Sequence, residues 1–207
     1  WLLLSPPPWL CRLPPSVDRR ATRLNRNSPC RTVGAFELMP VSSLSCGICA
    51  LHADREQLDA MEIWRHPHWL LRHHPQPSPL LGWCCLDARR HLSGPIAFTA
   101  EEAQTWGLVV QRASQLVQEL TRCDRVYAIA FGEGARHLHL HLIPRHGEDS
   151  QTIAWAVADH YRAVEAGERP AADSAAVQAW INQARAEATR RGDILNRGFI
   201  SQRHAQP

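Results

Sequence analysis

The chain has 207 residues, 44% hydrophobic and 21% charged, with a net charge of +3, the composition of an ordinary globular protein with room for one compact domain plus extensions. No uninterrupted apolar run approaches the ~20 residues of a membrane helix, which argues against a membrane as partner. All 23 basic side chains are arginines; six lie in residues 1–38 against Asp18 and Glu37, so the other 17 face 18 acids, and the body lacks the basic excess of a general nucleic-acid binder.

Residues 1–38 are Pro-rich (Pro6, Pro7, Pro8, Pro14, Pro15) and show no sustained period. Their apolar start, Trp1–Leu4, is too short and too soon broken by prolines for a signal-peptide core. The segment is expected to be disordered or a non-native extension, with Met39 as a natural start. Seven cysteines are present, but Cys46 and Cys49 are spaced for a metal site rather than a disulfide framework. With no convincing secretory signal, the chain reads as cytoplasmic.

From Cys46 onward the sequence is patterned. Strands are expected at 69–73 and 80–86, separated by the turn-rich stretch 74–79. A long helix follows: Thr99 and Glu102 make a capping box, and Trp106, Val109, Val110, Ala113, Leu116, Val117 and Leu120 recur at helical spacing. Arg125–Phe131 is β-rich, Gly132-Glu133-Gly134 turns the chain, and 137–143 returns as a second strand, stopped by Pro144. Two more helices are expected, at about 151–165 and 173–191, before a frayed tail, 194–207.

The stretch His137-Leu138-His139-Leu140-His141-Leu142-Ile143 carries the most information. On a strand the three histidines line one face and the leucines the other. At ~3.3 Å per residue, His137 and His141 stand roughly 13 Å apart and neighbours in the series about 6.6 Å apart. Two neighbours could share a metal, but all three could not without distorting the strand. At least one histidine is left for chemistry.

This pattern resembles the signature of the histidine-triad family of nucleotide hydrolases and transferases, matched without a gap and followed by Pro144-Arg145. The resemblance covers about residues 46–147. It implies an α+β fold, an antiparallel sheet with a long packed helix, to which this chain adds C-terminal helices. Together with the composition and patterning above, the expected organisation is a disordered or non-native extension at 1–38, a catalytic domain with a zinc knuckle at 39–150, a helical extension at 151–193 and the tail at 194–207. It also implies that His139 attacks the α-phosphorus of a nucleotide substrate, with His141 hydrogen-bonding the phosphate oxygens and able to protonate the leaving group. Gly132, Glu133 and Gly134 occupy the place of the loop that binds substrate in relatives, though without the Gln and Ser/Thr many of them carry. Glu133 would repel a phosphate unless turned away or bonded to a ribose.

Cys46-Gly47-Ile48-Cys49 read alone is open to three interpretations: a zinc knuckle, a redox pair or two buried thiols. A redox pair calls for a thioredoxin-like context, which is missing. Some histidine-triad and related uridylyltransferase proteins bind zinc through a CxxC, a histidine after the second strand and the first triad histidine. The resemblance thus implies Cys46, Cys49, His91 and His137 as a closed, structural zinc site. Cys84, Cys85 and Cys123 read as packing residues. His66, His68, His73 and His74 read as surface or half-buried, and Trp64, Trp69 and Trp83 as core.

The resemblance implies hydrolysis of a dinucleoside polyphosphate or nucleoside phosphoramidate through a nucleotidyl-histidine. Nucleotidyl transfer and a non-catalytic, zinc-stabilised nucleotide-binding role stay open. Family members are commonly homodimers paired through the long helix and an edge strand, an arrangement also open here.

Overall fold

The computed structural model describes residues 46–192; the expected extension 1–38, the start at Met39 and the tail 194–207 lie outside them. Two short helices, α1 (Gly47–Ala53) and α2 (Arg55–Met61), lead into β1 (Glu62–Arg65), β2 (Trp69–His73) and β3 (Cys84–Ala88). The long helix α3 (Ala100–Thr121) follows, then β4 (Arg125–Ile129) and β5 (His139–Arg145), and finally α4 (Val157–Glu165) and α5 (Ser174–Arg190). The strands form one antiparallel sheet in the order β1-β2-β3-β5-β4. The fold is α+β, as expected.

Alternation gives the sheet two different faces. Trp69, Leu71, Cys84, Leu86, Ala88, Leu138, Leu140 and Leu142 point to one side and form the main core with α3 and α5. The capping box at Thr99 and Glu102 starts α3, and its expected apolar row lands on this core: Val109, Ala113, Leu116 and Val117 are buried. Trp180, Ile181, Ala184 and Ala188 of α5 join them. Each fully buried large apolar side chain contributes ~1.5–3 kcal/mol, so α5 is as much part of the core as α3 is. The opposite face carries a smaller cluster, Trp83, Ile143 and Val157, packed by Tyr161 of α4.

Several boundaries differ from expectation: the helix expected from about 151 begins at Val157 and β4 ends at Ile129, and three further differences have a visible cause. The third strand begins at Cys84, because Leu80–Gly82 form a turn. Gly82 has φ of +79° and donates its N–H to His73 Nε2 at 3.0 Å, and a Cβ there would stand 2.3 Å from Thr121 Cγ2, so only glycine fits. Pro144 does not stop β5, which continues to Arg145 with Val126 opposite Pro144. Beyond Leu142, β5 has lost β3 as a neighbour, and a residue without an N–H is tolerated on such a one-sided stretch. Finally, β5 begins at His139. His137 lies just before it, held by Leu138, whose N–H donates to Leu92 O at 2.7 Å and whose carbonyl accepts from Ala88 N at 2.9 Å.

Among the described residues no helix is long and apolar enough to cross a membrane.

Candidate functional site

The short helix α1 starts between Cys46 and Cys49 and brings both sulfurs to the mouth of β5. The ligand atoms of Cys46, Cys49, His91 and His137 all lie within 4.8 Å of one another. Cys46 Sγ is 3.6 Å and Cys49 Sγ 3.4 Å from His137 Nδ1, and Cys49 Sγ is 3.3 Å from His91 Nδ1. Zinc bonds of ~2.3 Å to sulfur and ~2.1 Å to nitrogen at a tetrahedral angle put S and N about 3.6 Å apart, so the four donors fit that ion. His137 Nε2–H donates to Ala88 O at 2.7 Å, which leaves the Nδ1 lone pair for a metal.

The other two triad histidines are set differently. His139 Nδ1–H donates to His137 O at 2.6 Å, so the Nε2 of the neutral ring carries a free lone pair. Trp83 Nε1, which can only donate, hydrogen-bonds His141 Nδ1 at 3.0 Å. A neutral His141 must therefore hold its proton on Nε2. The two rings stand 5.1 Å apart and line a cleft of about 510 Å³, within the usual size range of small-molecule sites. Gly132, Glu133 and Gly134 line the same cleft.

No family model matches the chain, and no curated protein matches it. Solved structures do. A zinc-bound histidine triad family protein from Mycobacterium smegmatis is similar with a TM-score of 0.53 at 17% identity, over 73% of this chain and 98% of its own. A hypothetical histidine triad nucleotide-binding protein from Sulfolobus tokodaii gives a TM-score of 0.50 at 14% identity, over 70% and 95%. This chain has the histidine-triad fold.

On that histidine-triad framework sit several site residues that sequence reading missed. Tyr161, Arg162 and Glu165 of α4 form one wall of the cleft, and the Tyr161 hydroxyl donates to Glu165 at 2.5 Å. Beneath the triad, Arg72 and Asp87 form a buried ion pair, with Nε to Oδ2 at 2.7 Å. Asp87 also accepts from His52 Nε2 at 3.0 Å, and the His52 ring stands 5.6 Å from that of His137, so this network links α1 to the Cys/His cluster. Burial opposes the charge of each partner. The attraction between Arg72 and Asp87 prevails, holding the carboxyl below and the guanidinium above their ordinary values. The alternation of Leu70, Arg72 and His74 on β2 is visible in the sequence, but only pairing places Arg72 opposite Cys85 and Cys85 opposite His141.

The expectation for the histidines near β2 is corrected. His66, His73 and His74 are buried and only His68 is half-buried, because β2 is an interior strand with both faces covered. His73 Nδ1–H donates to His74 O and His74 Nδ1–H to Pro75 O. Trp64, Trp69 and Trp83 are buried as expected, and Trp83 in addition reaches the site.

Burial pushes His73 and His74 down to about 4 and His141 down to about 3. The folded chain thus holds these protons less tightly than the unfolded chain, whose histidines titrate near ~6.5. As pH falls below ~6.5 the unfolded state takes up protons first, and stability declines down to the folded values. Urea unfolding at pH 5 is expected to give a free energy lower than at pH 7 by on the order of 1–2 kcal/mol for each of these rings. A His73→Asn variant should show a shallower slope. Equal stability at the two pH values would mean that the rings are protonated in the fold.

Proposed function

We propose that this chain is a zinc-stabilised nucleotide hydrolase that acts at the α-phosphate of a dinucleoside polyphosphate or nucleoside phosphoramidate. The observation that carries the reading is the hydrogen bond from His139 Nδ1–H to His137 O. It fixes the tautomer that leaves Nε2 as a nucleophile facing the cleft, and it can support the positive charge that develops when that nitrogen attacks.

In this reading the His139 Nε2 lone pair forms a bond to the α-phosphorus as the bond from phosphorus to the leaving group breaks. The leaving group departs with the electron pair and takes its proton from solvent. Water then attacks the phosphorus as the P–Nε2 bond breaks; the nucleoside monophosphate is released, the water's proton passes to solvent and the electron pair returns to the neutral His139 ring. Zinc on Cys46, Cys49, His91 and His137 would be structural, fixing the backbone carbonyl that orients His139.

His141 is assigned a donor role. Its Nδ1 is occupied by the Trp83 proton, and its lowered pKa keeps it neutral at physiological pH. It therefore serves as an Nε2–H donor to the phosphate oxygens as charge builds on them, rather than as the acid for the leaving group. Trp83→Phe removes the proton that fixes this tautomer while keeping most of the ring volume. Turnover is expected to fall roughly tenfold to a hundredfold, up to the effect of losing one oriented donor, with the protein still folded. Unchanged turnover in Trp83→Phe would remove the donor role.

The direct test is intact-mass spectrometry after mixing with diadenosine or diguanosine polyphosphate. The expected result is a mass increase of one nucleotidyl group, absent in His139→Ala. Return of the substrate intact, with no adduct, would leave a binding protein only.

A further inference from the structure

Arg72 is 2% exposed and stands on the triad face of the sheet, in the cross-strand row Arg72, Cys85, His141. One edge of its guanidinium is committed: Nε and Nη2 donate to Asp87 at 2.7 and 3.3 Å. Nη1 is buried and has no hydrogen-bond partner, while Arg72 lines the cleft that holds His139 and His141. A buried guanidinium N–H without an acceptor is strongly unfavourable, so the position makes physical sense when a ligand supplies the acceptor.

The surroundings specify the acceptor's chemistry. Asp87 Oδ2 is shared between Arg72 Nε and His52 Nε2, so the carboxylate has no reach left for Nη1. The adjacent Cys85 sulfur is only a weak acceptor. On the same row His141 presents an Nε2–H, because Trp83 occupies its Nδ1. From the other side, residues 131–135 line the cleft without a side-chain donor and with one acid, Glu133, while α4 adds Arg162 and Glu165. The row on the sheet is therefore where an oxyanion meets N–H groups with no carboxylate besides the paired Asp87. Two N–H groups on one row, one of them cationic, match the oxygens of an oxyanion.

We infer that Arg72 is a substrate-binding residue whose Nη1–H donates to a phosphate oxygen of the bound ligand, beside the oxygen held by His141. The inference rests on the nucleotide reading of the cleft and adds that the phosphate lies across the row from β5 towards β2. Arg72 therefore discriminates the nucleotide from its nucleoside.

The experiment is calorimetric titration of the zinc-loaded full chain with AMP, GMP, inorganic phosphate, adenosine and guanosine. The double variant Arg72→Met/Asp87→Leu removes the buried pair together, an exchange that folded proteins often tolerate. It is expected to bind the nucleotides at least roughly tenfold more weakly, with nucleoside affinity within about twofold of the parent. Arg72→Lys keeps the charge against Asp87 but lacks the second N–H edge. It is expected to lose nucleotide affinity in the same direction, and it decides the matter if the double variant does not fold. Unchanged nucleotide affinity in a folded variant overturns the inference while leaving the nucleotide reading standing. Equal losses for nucleotide and nucleoside overturn it as well, since that is what a purely structural residue gives. Binding of phosphate that depends on Arg72, with no binding of AMP or GMP, supports the inference and removes the nucleotide reading. A parent chain that binds none of the five ligands overturns both.

Discussion

His139→Ala is expected to lower nucleotide turnover by at least roughly 10⁴-fold, the scale of losing a nucleophile that acts with its partners as a unit. Binding of nucleotide should persist, because the cleft, His141 and Arg72 are untouched. The ring is half-buried and its one hydrogen bond runs to a backbone carbonyl, so its loss leaves no buried charge and little unfilled core. Melting temperature should therefore stay close to that of the parent. The decisive measurement pairs single-turnover kinetics with intact mass: the variant should bind substrate and never form the adduct. If His139→Ala turned over at near the parental rate while His141→Ala did not, the nucleophile would be misassigned.

Cys49→Ser is expected to lose both bound metal and stability. Cys49 contacts both histidines of the cluster, so its removal opens the tetrahedron on two sides. An ion present at about 1,000 times its dissociation constant stabilises the folded state by ~4 kcal/mol. For a domain of this size that corresponds to a fall in melting temperature of roughly 8–16 °C. Elemental analysis of freshly purified, chelator-free protein should find close to one zinc per chain in the parent and far less in Cys49→Ser. Metal-free parent protein with unchanged stability would remove zinc from the proposal. In the proposed reaction His137 also supports the nucleophile, since its carbonyl holds His139. Cys49→Ser should thus lose turnover as well, but with residual activity that His139→Ala lacks.

The sequence by itself determined the parts of this protein written in local periodicity. The alternating leucines and histidines fixed which face of β5 is core, and the 3.6-residue row with its capping box fixed α3, because both patterns depend only on side-chain direction along one element. Strand spacing also lets only part of the triad share one metal, and in the structure His137 alone of the three joins Cys46, Cys49 and His91. The turn at Leu80–Gly82 was hidden because apolar residues run through it; Gly82 turns at positive φ, bonded to His73, where a Cβ would meet Thr121, and neither of those neighbours is local. Arg72, Asp87 and His52 carry no motif, being 15 and 35 residues apart. They become one network only when β2, β3 and α1 pack together, because ion pairing follows distance in space. The wall supplied by α4 and the tautomer imposed on His141 by Trp83 have the same origin. A hydrogen bond between residues 58 positions apart is decided by strand register, and register is settled only when the whole sheet forms.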